Sequence, residues 1–505
     1  MMSLVSNAFL LFVIAAVILY YVVPGKLQWI VLLIFSYLYY LSGNAKYLFF
    51  ILFSTCVTYG FGLVIDRMNE AGMEQKKIKR MLVIGLICNL GMLGIVKYTG
   101  FFIDNLNALF HLEWKGFEVL FPLGISFYTF QSSGYLLDVY WKKTRAEKNP
   151  FRYALFVAFF PQLLQGPIGK WERLGTQLSI PHPFAMENIS RGVQRMIWGY
   201  AKKMIIADWA GVFADAIWGD LDRFNGIALF GLVFYGIQLY ADFSGAMDVV
   251  IGIGNLFGIT MDENFRRPYL ATSMADFWKR WHITLGEWMM NYVFYPVSLS
   301  KWMMRFSKWS KARFGRKTGR VVPIALADLI VFFLVGIWHG ASWKYVAYGL
   351  MNGGIIAFSE LMAGKYRSMR KALHIKGTET WYHIFAIVRT FILVNLRWFF
   401  DRSENLSQGF YMIRQAFTHF NPSQLFMISA GSGGTAFVPW ALLIIFVGCV
   451  IMVTVGCFQE KGHEIRKELS RLPFPVTAAI YVLLLIAIGV FGSTAAPRGF
   501  IYAQF

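Results

Sequence analysis

Acidic residues are scarce in this chain: 28 Asp and Glu stand against 48 Lys and Arg in 505 residues, a formal charge of +20. Charged residues of both signs make up only 15% of it, below the roughly 25% typical of soluble domains. A fully solvated globular surface is therefore excluded. Cysteine is rarer still. Cys56, Cys88, Cys449 and Cys457 lie singly in or beside apolar stretches, without the spacing of a zinc site or a redox pair, and are expected to be inert packing residues. No G-x-x-x-x-G-K-[ST] string occurs, which argues against an ATP-driven machine with its own nucleotide site. Nor is there a low-complexity linker, so residues 1–505 read as a single integral domain.

What is present in quantity is apolar. The chain is 57% hydrophobic and 18% aromatic. Runs of membrane-spanning length recur at 5–23, 27–42, 46–65, 81–110, 118–140, 225–257, 322–338, 341–363, 383–400, 436–457 and 473–493, with 151–167, 190–216 and 281–298 less regular. At about 20 residues per crossing, these runs predict an all-α polytopic integral membrane protein of about 11 to 13 transmembrane helices. Residues 1–23 lack a basic n-region and a small-residue cleavage site, and read as a retained first helix.

The positive excess falls in clusters at Lys76–Arg80, Lys142–Arg145, Lys365–Lys376 and, most densely, Lys301–Arg320, which holds eight Lys or Arg and no acid. In a membrane protein such clusters mark cytoplasmic loops rather than nucleic-acid binding. Placing all four inside puts the N-terminus outside and sends the helix that ends at His339 outward. Basic loops also attract anionic membrane lipid.

Three stretches carry polar residues at odds with lipid contact: 121–140, 158–173 and 235–296. The second contains Pro161 and Pro167, six residues apart. Broken or re-entrant segments around a central polar tunnel account for this pattern, because irregular backbone survives at membrane depth only where protein or a cavity surrounds it.

His339 stands out, in the string Gly336-Ile-Trp338-His339-Gly340-Ala-Ser-Trp343 between two apolar runs. A buried imidazole there is costly unless it is paired or used, and histidine is well suited to moving protons near neutral pH. A second unusual run, Asp276-Phe-Trp-Lys-Arg-Trp-His282, begins with residues suited to the headgroup level. His282 and His339 are 57 residues apart in sequence, and two separate packing histidines explain them equally well. Without a neighbouring Cys, Glu or third His they make no metal site.

The ordered set of motifs resembles the membrane-bound O-acyltransferase (MBOAT) superfamily, in its alginate O-acetylation branch. The resemblance runs through Asn89 to Phe102, Pro122 to Gln131, Phe160-Pro-Gln162 to Ile168, Gln238 to Gly245, Glu263 to Tyr269, Asp276 to His282 and Gly336 to Trp343. The core motif region covers about 86–363, with a C-terminal helical extension of about 383–505. Trp398-Phe-Phe-Asp401-Arg-Ser403 and the terminal Phe500-Ile-Tyr-Ala-Gln-Phe505 match the acetylation branch rather than its D-alanyl-transferring relatives. One departure is Met290-Asn291, where that branch carries an Arg-Asp pair, and another is Pro296-Val-Ser-Leu in place of Pro-Leu-Gly-Gly.

The resemblance implies an acyltransferase of the bacterial inner membrane that moves an acetyl group from a cytoplasmic donor for O-acetylation of a secreted or cell-surface polysaccharide. No tightly bound cofactor is implied, and acetyl-CoA is the expected donor substrate. An extracytoplasmic SGNH-type acetyltransferase is the expected partner. His339 falls at the family's essential histidine, and His282 at its second polar position, as the carbonyl-polarising candidate. Asp242, Ser244, Asn291, Gln131, Gln162 and Trp338 are the candidates for binding substrate or lining the tunnel. Two alternatives stay open: D-alanyl transfer to teichoic acid through a carrier protein, and a non-catalytic transporter or polymer channel.

Overall fold

The computed structural model describes residues 2–115, 120–426, 428, 440–492 and 499–500. The first residues of the 118–140 and 436–457 runs, the end of 473–493 and the terminal motif beyond Phe500 lie outside them. Among the described residues the fold is helical, with one isolated antiparallel bridge between Phe265 and Trp281. Eight of their helices are long and apolar enough to cross a membrane: Tyr47–Glu70, Gln75–Phe110, Asn225–Leu256, Lys301–His339, Trp343–Ala372, Thr380–Arg402, Trp440–Glu460 and Phe474–Phe491. Two shorter apolar helices, Asn7–Val22 and Gly25–Leu41, precede them. The chain is an all-α, multi-pass membrane protein.

Several apolar runs are used otherwise than as full spans. The helix of the 118–140 run covers only Ile125–Tyr140 and is buried almost throughout. Run 151–167 breaks after the short helix Pro150–Ala158, ahead of Pro161. The basic stretch 301–320, read as a loop, is helical. It belongs to Lys301–His339, which is interrupted at Gly315 (φ 74°, ψ 167°), a left-handed conformation natural only to glycine.

The described residues form two compact units. The first comprises 1–205, 241–263 and 464–505. At its centre Asn89 ties three helices together: its amide donates to Ser132 Oγ and Ser133 Oγ at 3.0 Å and to the Thr129 carbonyl at 3.2 Å, while Ser54 Oγ donates to its Oδ1 at 2.7 Å. Polar groups in a membrane protein's interior need such partners because no water is at hand. Helix Met186–Ala201 lies close against residues 245–252, where a methyl group added to Gly199 would sit 2.6 Å from the Gly245 carbonyl oxygen. Small residues permit that approach.

The second unit comprises 206–240 and 264–463. Its spine is the antiparallel pair Lys301–His339 and Trp343–Ala372. Gly336 and Gly349 meet face to face in it: an added Cβ would come within 2.3 Å of the Tyr345 and Phe332 carbonyl oxygens respectively. Two of the glycines around His339 are thus accounted for by packing.

Candidate functional site

The glycine seam sets the position of His339. It is the last residue of its helix, 6% exposed, and aromatic rings surround it. Their centroids lie at 5.1 Å for Trp338, 5.4 Å for Tyr348 and 6.2 Å for Tyr345, the last nearly parallel to the imidazole. Tyr345 and Tyr348 come from the first turns of the next helix, so the short turn 340–342 builds the pocket wall directly.

His282 is placed by a different device. The strand-like bridge Phe265–Trp281 and the bonds Arg266 N–H to Arg280 O (2.9 Å) and Ile283 N–H to Asn264 O (3.0 Å) pin 264–266 against 280–283. His282 then caps the helix Ile283–Met289 with φ 48° and ψ 54°, a left-handed backbone that a non-glycine residue adopts at a cost of order 1–3 kcal/mol. It is 1% exposed, and burial pushes its imidazole pKa down to about 3, so the ring is neutral near pH 7.

Asn264 selects the tautomer. Its Oδ1 accepts the backbone N–H and the hydroxyl of Thr284, both at 3.0 Å, which fixes the amide with oxygen inward. His282 Nδ1 faces the same oxygen at 3.3 Å. A carbonyl oxygen only accepts, so Nδ1 carries the proton and Nε2 is left as the acceptor. The carbonyl-polarising part implied by resemblance calls for a donor at the reacting atom, which this tautomer does not present at Nε2.

Trp338 joins the two histidines. Its ring lies 5.7 Å from His282 and 5.1 Å from His339, so the imidazoles are no further apart than those two distances together. The fold therefore gathers His339, His282 and Trp338. Asn291 follows on the π-helical stretch Met290–Phe294 and is half-buried. Asp242, Ser244, Gln131 and Gln162 belong to the other unit. There Gln162 Nε2 donates to Gln131 Oε1 at 3.0 Å. The Lys203 ammonium pairs with Asp242 at 2.7 Å, with both side chains at most 2% exposed, and Lys202 donates to Ser244 Oγ at 2.9 Å.

Sequence reasoning missed a second ring of residues in the histidine unit. Arg397 is fully buried among Trp398, Phe277, Trp278 and Tyr348, with centroids 4.2–5.7 Å from its guanidinium carbon. It also donates to Asn352 Oδ1 at 2.8 Å. Such a guanidinium box braces Tyr348, one wall of the His339 pocket. Beside Tyr345 in sequence, Lys344 donates to the Asp401 carbonyl at 3.2 Å, and the Asp401 carboxylate accepts from Tyr235 at 2.7 Å. Asp401 and Trp398 stood inside a recognised motif. Asn264 also stood inside a recognised motif, Glu263 to Tyr269, whereas Arg397 carried no signal beyond being polar within hydrophobic surroundings.

Two buried imidazoles with centroids 5.7 and 5.1 Å from one indole, His282 held neutral by burial, suit the proton transfers of acyl transfer. Comparison with known proteins points to the same class of reaction, acyl transfer. Residues 145–310 match the family model described as MBOAT, the membrane-bound O-acyltransferase family, a match that includes His282 and ends before His339. The chain is 32% identical to a probable alginate O-acetylase of Azotobacter vinelandii, covering 82% of this chain and 77% of that one. It is equally 32% identical to a peptidoglycan O-acetyltransferase of Helicobacter pylori, over 76% and 72%. A teichoic acid D-alanyltransferase of Bacillus subtilis matches at 27% over 54% and 66%. This chain belongs to the membrane-bound O-acyltransferase family. It is an acyltransferase, and its O-acetylating relatives match it more extensively than the D-alanylating one.

Proposed function

We propose that this protein moves acetyl groups from acetyl-CoA on the cytoplasmic side of the bacterial inner membrane, for O-acetylation of an alginate-like or other secreted or cell-surface polysaccharide. An extracytoplasmic SGNH-type acetyltransferase completes the delivery. The observation that carries the chemistry is the placement of His339 and His282, both buried, with centroids 5.1 and 5.7 Å from the same Trp338 ring. A hydroxyl oxygen, of the polymer or of the partner's serine, attacks the acetyl carbonyl carbon. The C–S bond of the thioester breaks, and the hydroxyl proton passes to His339 and then to the departing thiolate. His282, with Nε2 as acceptor, is placed to take a hydrogen bond from a different N–H or O–H of the substrates and so to orient them. The names of the alginate- and peptidoglycan-acetylating relatives support a polysaccharide as final acceptor.

The test is reconstitution of the purified protein in vesicles loaded with [14C]acetyl-CoA, with the partner and polymer outside. Label should reach the polymer only when both proteins are present. Transfer of carrier-bound D-alanine with no transfer of acetyl would overturn the assignment in favour of teichoic acid D-alanylation. Accumulation of unreacted acetyl-CoA outside would instead favour passive transport.

A further inference from the structure

The break at Gly315 divides Lys301–His339 into two arms, 301–314 and 316–339. They return on each other so closely at Gly319 that an added methyl would lie 2.5 Å from Lys311 Cα. Between the arms opens a cavity of ≈ 360 Å³, within the size range of small-molecule sites. Lys308 and Lys311 from the first arm and Arg320 from the second line it, together with Ser298, Ser307 and an apolar floor around Met303 and Pro323. The three cations are exposed and form no ion pair among the described residues. Ser298 Oγ is buried without a hydrogen-bond partner among the described residues. Three cations, a spare hydroxyl and an apolar floor form a receptor for a phosphate group joined to a less polar body.

The first arm also shows where this receptor lies. Trp302, Phe306 and Trp309 stack in sequence along it, with centroids 6.0 and 5.4 Å apart, and both tryptophans are exposed. An aromatic stripe beside a lysine- and arginine-rich face is the pattern of a helix lying in the membrane interface.

We infer that the cavity between the two arms is a phosphate-binding site at the membrane surface, separate from the histidine pair. Its occupant is a phosphate-bearing molecule, supplied either by the lipid as an anionic headgroup or by the aqueous phase as a phosphorylated acyl donor. The second source would deepen the donor assignment made above; the site itself does not depend on it.

Binding, read without turnover, tests the inference. The protein in phosphatidylcholine nanodiscs is titrated with coenzyme A by calorimetry. In parallel, retention of phosphatidylglycerol from mixed nanodiscs is counted by native mass spectrometry. K308Q/K311Q/R320Q should weaken the bound ligand by about 100-fold, since each of the three exposed charge contacts removed is worth up to about fivefold. R313Q/R316Q/K317Q, which removes equal charge from outside the cavity, should weaken it less than about threefold. Ser298→Ala, which changes no charge, should weaken it several-fold. Coenzyme A binding alone identifies the aqueous source, and phosphatidylglycerol retention alone the lipid. Equal loss in the two triple variants, or no binding of either molecule to the wild type, would overturn the site. All these side chains except Ser298 are exposed, and thermal unfolding of each variant verifies its fold. Because acetyl transfer is not the readout, failure here is distinct from failure of the proposed reaction.

Discussion

Replacing Asn264 by Asp separates its two duties, holding Thr284 and fixing the His282 tautomer. The carboxylate still accepts from Thr284 N–H and Oγ, both 3.0 Å from Oδ1, so the turn persists. It also places a negative charge where Oδ1 now lies 3.3 Å from His282 Nδ1. An opposite charge at that range raises a neighbour's proton affinity by roughly ten- to thousand-fold. In the wild type, burial holds the folded pKa at about 3 against about 6.5 in the unfolded chain. Between those values the unfolded chain binds a proton that folded His282 refuses, so stability is full above pH 6.5 and falls as pH falls. From pH 6.5 to 4.5 the loss from this residue is about 2 kcal/mol. With the folded pKa raised to roughly 4–6, Asn264→Asp should lose less over the same window, down to under about 1 kcal/mol at the upper end of that range. Thermal unfolding in detergent between pH 4.5 and 7.5 measures this as a flatter dependence of Tm on pH. Asn264→Leu, which strands the buried Thr284 N–H, should instead cost about 1–3 kcal/mol at every pH. Identical Tm–pH slopes in wild type and Asn264→Asp would refute both the burial argument and the Asn264–His282 contact.

Other consequences follow from the packing. Gly336→Ala drives a methyl group to 2.3 Å from the Tyr345 carbonyl oxygen. It should destabilise the protein by about 1–3 kcal/mol and, by moving His339, lower the transfer rate more than the fall in folded protein explains. Asp242→Asn removes the carboxylate from Lys203 in a pair at most 2% exposed and should cost about 3–5 kcal/mol. The double variant Lys203→Met/Asp242→Asn should recover most of that, as read by yield of monodisperse protein. Arg397→Lys keeps the charge but loses the flat face stacked on Trp398 at 4.2 Å. It should lower Tm and slow acetyl transfer together.

The helical class and the prominence of His339 were legible because both rest on local composition: apolar runs of spanning length, and one imidazole placed between two of them. The contact of His282 and His339 through Trp338 was not legible, because it depends on how the 56 intervening residues fold back. The left-handed backbone of His282 and the tautomer set by Asn264 are likewise tertiary facts; a single Asn in a motif gives no sign of which oxygen points where. At 118–140 the length of the run suggested a full span, while the polar residues of 121–140 pointed to the protein-enclosed helix that is found there. Charge density misled at 301–320, where a basic helix broken at one glycine looks in sequence like a loop. Arg397 was hidden for the opposite reason, since a lone arginine beside Trp398 reads as an interfacial anchor until the box of rings around it is seen.

The central claim is that His339 accepts the proton in acyl transfer. The direct measurement is the initial rate of acetyl transfer from labelled acetyl-CoA by the His339→Ala protein, reconstituted with its partner at matched membrane density and matched Tm. Loss of a general base lowers such rates by about 10²–10⁴-fold, and that loss is the predicted result. A rate within about threefold of wild type would contradict the account.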